Sequence, residues 1–210
     1  MRLYSYVIAR DYGFAPNPFW GTCTLATCKP KIRKGAALGD WIVGIGSSNY
    51  KIMGNVVFAM KVTEALTYDQ YWSDSRFTLK KPILTGSVKQ AFGDNIYHTN
   101  PRTGKWIQSN SHHSLETGAP NPKNIEHDTQ SSRVLLSSEY IYWGATGPKV
   151  PPKFSTSKIL KICIGKRGHT ICTSEKHIDV FVSWLKSFNA TGFAGAPAEF
   201  SKHRNRVQLA

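Results

Sequence analysis

The chain has 210 residues, 40% hydrophobic and 19% charged, a balance that excludes a disordered polymer. No apolar run approaches the roughly 20 residues that span a bilayer. Lys and Arg outnumber Asp and Glu by 27 to 13, and the resulting +14 attracts polyanions, so nucleic acid or a free nucleotide is the expected partner and membrane is not.

The length suits one domain, expected over 1–189 with a long insertion at about 73–132 and a loosely held basic tail at 190–210. The start, "MRLYSYVIARDYGF", lacks the apolar run and cleavage site of a secretory leader, so a cytoplasmic protein is expected. Cys23, Cys28, Cys163 and Cys172 read as reduced thiols.

In chain order, "LYSYVIAR" (3–10) alternates and is rich in aromatic and β-branched residues, which predicts a strand. A Gly/Pro-rich loop follows. "GDWIVGIGS" (39–47) predicts a strand with Trp41, Val43 and Ile45 on one face, and Gly44 and Gly46 letting another group approach the other. "GNVVFAMKVTEA" (54–65) predicts a strand with Val56, Phe58, Met60 and Val62 facing one way. Thr67 followed by Gln70 fits a capping box and opens a short helix. Residues 73–132 show no sustained period. "RVLLSSEYIYWG" (133–144) and "KILKICIG" (158–165) predict two more strands. "EKHIDVFVSWLKSFN" (175–189) places Ile178, Phe181, Val182, Leu185 and Phe188 at helical spacing, with Ser174 as N-cap. The class is α+β, a small curved mixed sheet or barrel with a few helices and long loop insertions.

Several residues suit chemistry. Cys23 and Cys28 have the spacing of half a zinc site, but a second half is missing. Adjacent histidines in extended chain point to opposite faces, so His112 and His113 make a poor joint ligand pair, and no metal or cofactor is expected. Cys23 lies ahead of the cationic "KPKIRK", which favours a thiolate, although a buried inert thiol explains it as well. His98, His112 and His113 could act as acid or base, with Asp94 and Asp128 as orienting partners. Loop aromatics, Phe14, Phe19, Trp20, Tyr97 and Trp106 among them, offer faces for base stacking, and Arg10, Lys29, Lys31, Arg33, Lys34, Arg102 and Lys105 can meet phosphates.

Taken together, "RDYGFAPNPFWGTCTLATCKPKIR", "GDWIVGIGS", "VTEALTYDQYWSDSRF", "GDNIYH", "SHHS" and "YIYWGATGP" resemble the nucleotide modification associated domain 2 family of bacteria and phages. The resemblance covers about 4–150 and implies a place in base modification or defence without assigning a reaction. It puts Arg10, Asp11, Asn17, Cys23, Thr24, Lys29, Trp41, Asp94, Asn95, Tyr97, His98, His112 and His113 inside shared motifs. The order of strands is also similar to PUA-like domains of the EVE and YTH kind, which implies a cage for a modified base built from Trp20, Trp41, Tyr97 and Trp106. Three readings stand: a module binding a nucleobase, nucleotide or modified nucleic acid, an enzyme acting on a nucleotide through His98, His112 or His113 with Asp94, and a protein-interaction domain.

Overall fold

The computed structural model describes residues 1–165 and 168–200. Its strands are β1 (Leu3–Ile8), β2 (Cys23–Leu25), β3 (Trp41–Gly46), β4 (Val56–Lys61), β5 (Glu64–Thr67), β6 (Tyr97–Thr99), β7 (Trp106–Gln108), β8 (Arg133–Ser137), β9 (Glu139–Tyr142), β10 (His169–Cys172) and β11 (Gly192–Phe193). The helices are α1 (Pro30–Gly35), α2 (Tyr68–Ser73), α3 (Val88–Ala91), α4 (Pro122–Asp128), α5 (Pro152–Ser155) and α6 (Glu175–Lys186), with short 3-10 turns between some elements. The chain divides into two compact units that interleave along the sequence.

The first unit comprises Met1–Asp11, Ala36–Thr63 and Ser137–Ala198. Its six-stranded sheet runs β10-β1-β3-β4-β9-β11, with β1/β3 and β9/β11 parallel and the other neighbours antiparallel. The class is therefore α+β with an open mixed sheet, ending at β10 and β11, and not a closed barrel. Trp41, Val43 and Ile45 enter one core together with Ile178, Phe181 and Leu185 of α6. Gly44 is needed for close approach: a Cβ there would sit 2.3 Å from the Phe58 ring. A bulge between Gly44 and Ile45 changes the phase of β4, so Val56 shares that core with Ala59 and not with Phe58 or Met60.

The expected strand at 158–165 is not formed. Its backbone donors find other acceptors: Leu160 N–H goes to Ser157 Oγ, Ile162 N–H to Phe154 O and Cys163 N–H to Ser5 Oγ, and Leu160 and Ile162 are buried as anchors. The stretch 133–144 is likewise two strands, β8 and β9, broken at Ser138. Of the tail, β11 pairs with β9, and residues 201–210 lie outside the described residues.

The second unit comprises Tyr12–Gly35, Glu64–Leu136 and, of the described tail, Glu199 and Phe200. A three-stranded sheet, β2-β8-β5, and the β6–β7 hairpin carry an aromatic core that includes Tyr68, Tyr71, Phe77, Phe92 and Tyr97. Thr67 and Gln70 form the expected capping box on α2. The polar stretch 73–132 folds through its own caps: Ser87 and Gln90 box α3, and Asn121 caps α4 with Pro122 in its first turn.

Candidate active site

Three segments of the second unit converge on one cluster. Cys28 lies in the turn between β2 and α1, His113 in the loop after β7, and Asp128 ends α4. Cys28 Sγ stands 3.7 Å from His113 Nε2, and His113 Nδ1 stands 2.9 Å from Asp128 Oδ2. This is the nucleophile, base and orienting carboxylate order of a thiol triad, recognised by geometry and not by position in the chain.

The scaffold holds each member. Asp128 is fully buried; its Oδ1 accepts the Cys28 backbone N–H at 2.8 Å, and its Oδ2 also accepts the Tyr97 hydroxyl at 3.0 Å. Gln108 donates to Tyr97 Oη and to the His113 carbonyl, while its Oε1 accepts the Asn121 N–H at the start of α4. Asn124 of α4 donates to the same His113 carbonyl at 2.7 Å. A serine-bracketed turn, in which Ser111 Oγ accepts the His113 N–H, sets the loop. Phe14 packs 4.7 Å from the His113 ring, and His112 lies edge-on to Tyr12, Phe14 and Phe92, a wall of rings beside the triad.

Cys28 itself has φ 57° and Lys29 φ 42°, a left-handed pair of non-glycine residues. Such conformations cost on the order of 1–3 kcal/mol each and persist where the surroundings dictate them. Here the surroundings are visible. Arg33, buried and without an ion pair among the described residues, donates to four carbonyls, those of Cys28, Asp128, Ser131 and Arg133, at 2.5–2.8 Å. One guanidinium, expected from sequence to meet phosphates, is instead buried and fastens the Cys28 turn to the end of α4 and to β8.

Electrostatics follow from the contacts. Burial alone would lower His113, but its hydrogen bonds to Asp128 and Cys28 prevail and raise it to about 9, so the ring is an imidazolium at neutral pH. Burial would raise Asp128, yet the His113 hydrogen bond and charge hold it below the ordinary carboxylate value. Tyr97→Phe removes one donor to Asp128 and should destabilise the protein by about 1–2 kcal/mol, read from the urea midpoint.

The same three side chains place ligand atoms within 4.8 Å of one another, close enough for a metal ion. The fit is poorer than for a triad. Asp128 commits its oxygens to the imidazole, the phenol and an amide N–H, leaving Sγ and Nε2, fewer than the three protein ligands of an open zinc site.

Other sequence candidates fall elsewhere. Cys23 is buried within β2, where burial pushes its thiol up to about 12, so it is inert. Asp94 accepts hydrogen bonds from Thr24 and Tyr71 and is pushed up to about 6 by burial; among the described contacts it orients no histidine. Nearby, the buried Lys80 ammonium donates to Asn17 O and Oδ1, Thr22 O and Thr24 Oγ1, and burial lowers it to about 8. Asn95 holds the carbonyls of Tyr71 and Phe77. These form a polar framework inside the second unit.

His98 follows Tyr97 on β6 and so faces the opposite way; it stacks on Trp72 at 4.1 Å, with burial lowering its pKa. Tyr97 and Trp41 are buried, the first in the second unit and the second in the core of the first, so packing takes up their ring faces. Trp106 is edge-on to Tyr68, whereas Trp20 is 40% exposed. In the first unit Asp11 accepts from the Tyr142 hydroxyl and the Ala198 N–H, and Arg10 is exposed. Lys29 is half-buried directly after Cys28. Sequence reasoning weighed Cys28 only as half of a zinc site and credited the thiol ahead of "KPKIRK" to Cys23, so it missed the contact of Cys28 with His113.

No curated protein and no solved structure matches the chain. A family model described as nucleotide modification associated domain 2 matches residues 1–204, nearly the whole length, and the chain belongs to that family.

Proposed function

We propose that this protein is a thiol-dependent enzyme of nucleotide modification, with Cys28 as nucleophile, His113 as acid and base, and Asp128 as the positioning carboxylate. The observation that carries this reading is the Cys28–His113–Asp128 alignment, at 3.7 and 2.9 Å, on a strained turn.

The substrate class is a nucleotide or nucleic-acid base bearing an sp² carbon with a nitrogen or oxygen leaving group. The Cys28 thiolate attacks that carbon; the S–C bond forms, the bond to the leaving group breaks, and the leaving group takes the His113 Nε2 proton. The neutral ring then removes a proton from water, whose oxygen attacks the same carbon. The C–S bond breaks, thiolate and imidazolium are restored, and the net change is hydrolysis. The exposed Trp20 supplies a stacking face and Lys29 a cation for phosphate.

A binding role without chemistry is the second reading, favoured by the +14 charge and by Trp20. Alkylation of the native protein with iodoacetamide, mapped by peptide mass, separates the two. Cys28 should label at least tenfold faster in the wild type than in His113→Gln, with Cys23 spared, and Cys28→Ser should lose conversion of a modified-nucleotide panel. Labelling indifferent to His113, together with undiminished conversion by Cys28→Ser, rejects the enzyme reading; nucleotide binding without conversion then leaves the binding role.

A further inference from the structure

From Tyr140 to Ser174 the sequence has six Lys or Arg and no Asp or Glu. Lys149, Lys153, Lys158 and Lys161 are exposed, and among the described residues none of them meets a carboxylate, unlike Lys61 and Lys186 of the same unit, which share Glu139. A charged run is ordinarily a solvated face of no fixed shape. This one is built differently.

The apolar residues between the lysines are anchors. Val150, Phe154, Leu160 and Ile162 are buried in the core of the first unit. The backbone is tied down as well: Val150 N–H donates to Gly54 O, Phe154 N–H to Pro151 O and Ile162 N–H to Phe154 O, while Ser5 Oγ accepts the Cys163 N–H. Pro151 and Pro152 further restrict the chain. The lysine stems therefore rise from a fixed base in a segment that forms no strand, at spacings of three to five residues, with Ile159 54% exposed among them. A fixed base lowers the ordering cost of binding an extended polyanion.

We infer that this segment of the first unit, Lys149 to Lys161, binds the phosphodiester backbone of a nucleic acid. The binding surface does not rest on the proposed enzyme.

The test compares two quadruple variants of equal net charge. One carries Lys149→Gln, Lys153→Gln, Lys158→Gln and Lys161→Gln; the other carries Lys34→Gln, Lys105→Gln, Lys123→Gln and Lys176→Gln. Binding of a fluorescent 20-base-pair duplex and of its single strand is measured by anisotropy from 50 to 300 mM salt. The first variant should flatten the log Kd against log salt slope by about 3 to 4 on duplex, by less on the single strand, and leave mononucleotide binding and Cys28 alkylation unchanged. Equal slopes in the two variants, or a loss confined to phosphatidylserine vesicles, would overturn the surface. Unselective Cys28 alkylation would instead strike the enzyme reading, so the two failures are distinguishable.

Discussion

Asp128→Asn should cut turnover by roughly 10⁴-fold, because an amide cannot hold the imidazole in the tautomer that presents Nε2 to the sulfur. The carboxylate accepts three donors, the Cys28 N–H, the Tyr97 hydroxyl and the His113 Nδ1–H, and an amide turns one of those acceptor positions into a fourth donor. With the negative charge gone, burial acts on His113 with less opposition, and its pKa should fall from about 9 toward or below the ordinary 6.5. An NMR titration of the His113 ring reads this directly. A ring that still titrates near 9 in the variant would remove Asp128 from the site.

The same shift sets a pH dependence of stability. A folded value raised from 6.5 to about 9 contributes stability that is full below 6.5 and lost as pH rises through 9. Asp128 is depressed, so its share is full above the ordinary carboxylate value of 3.8 and lost on acidification through its folded value. The pair is therefore worth most between about pH 4 and 6.5, with about 3 kcal/mol as the ceiling for the histidine. Lys80, lowered to about 8, acts in the opposite direction between 8 and 10.5. The difference in unfolding free energy between wild type and Asp128→Asn cancels that contribution, and it should shrink steadily from pH 6 to 9.5.

Arg33→Met should destabilise the second unit by about 3–5 kcal/mol, because buried carbonyls left without a donor cost about 1–3 kcal/mol each and part of that is offset by no longer burying the charge. Four carbonyls lose their donor together, and methionine fills volume without replacing any. Arg33→Lys should recover only part of this, since an ammonium lacks the fork that spans Cys28, Asp128, Ser131 and Arg133. Because the Cys28 carbonyl is one of the four, alkylation of Cys28 should slow even in the folded fraction of either variant. A urea midpoint within about 0.5 kcal/mol of wild type would show that the carbonyls find other donors.

What the sequence disclosed depended on the range of the interaction. Local periodicity marked β1, β3, β4 and α6, and the Thr67 capping box was legible because its two partners are three residues apart. The equivalent Ser87–Gln90 box and the Asn121–Pro122 helix start were equally readable, yet the polar surroundings concealed them. Residues 158–165 misled because alternating apolar residues that anchor a loop look like those of a strand. The Cys28–His113–Asp128 cluster was beyond local reading: its members are joined only by the fold, and the sequence offered both Asp94 and Asp128 as orienting carboxylates with nothing local to choose between them. Lys80 gave no signal, since a lysine is among the residues least expected to be fully buried.

The interleaving of the two units also bears on how the chain is made. β1 lies between β3 and β10, and Leu3 pairs with Cys172, so β1 has one edge uncovered until synthesis has run from Leu3 on to Cys172. At about 5–20 residues per second, that is roughly ten to thirty seconds in which a hydrophobic strand edge is open to other nascent chains. The second unit, in contrast, has β2, α1, β5 and β8 in hand by residue 137 and can close its core while the first is still incomplete. Ribosomal exit thus imposes an order on the two units that refolding from denaturant does not, and expression yield should respond to translation rate more strongly than equilibrium stability would suggest.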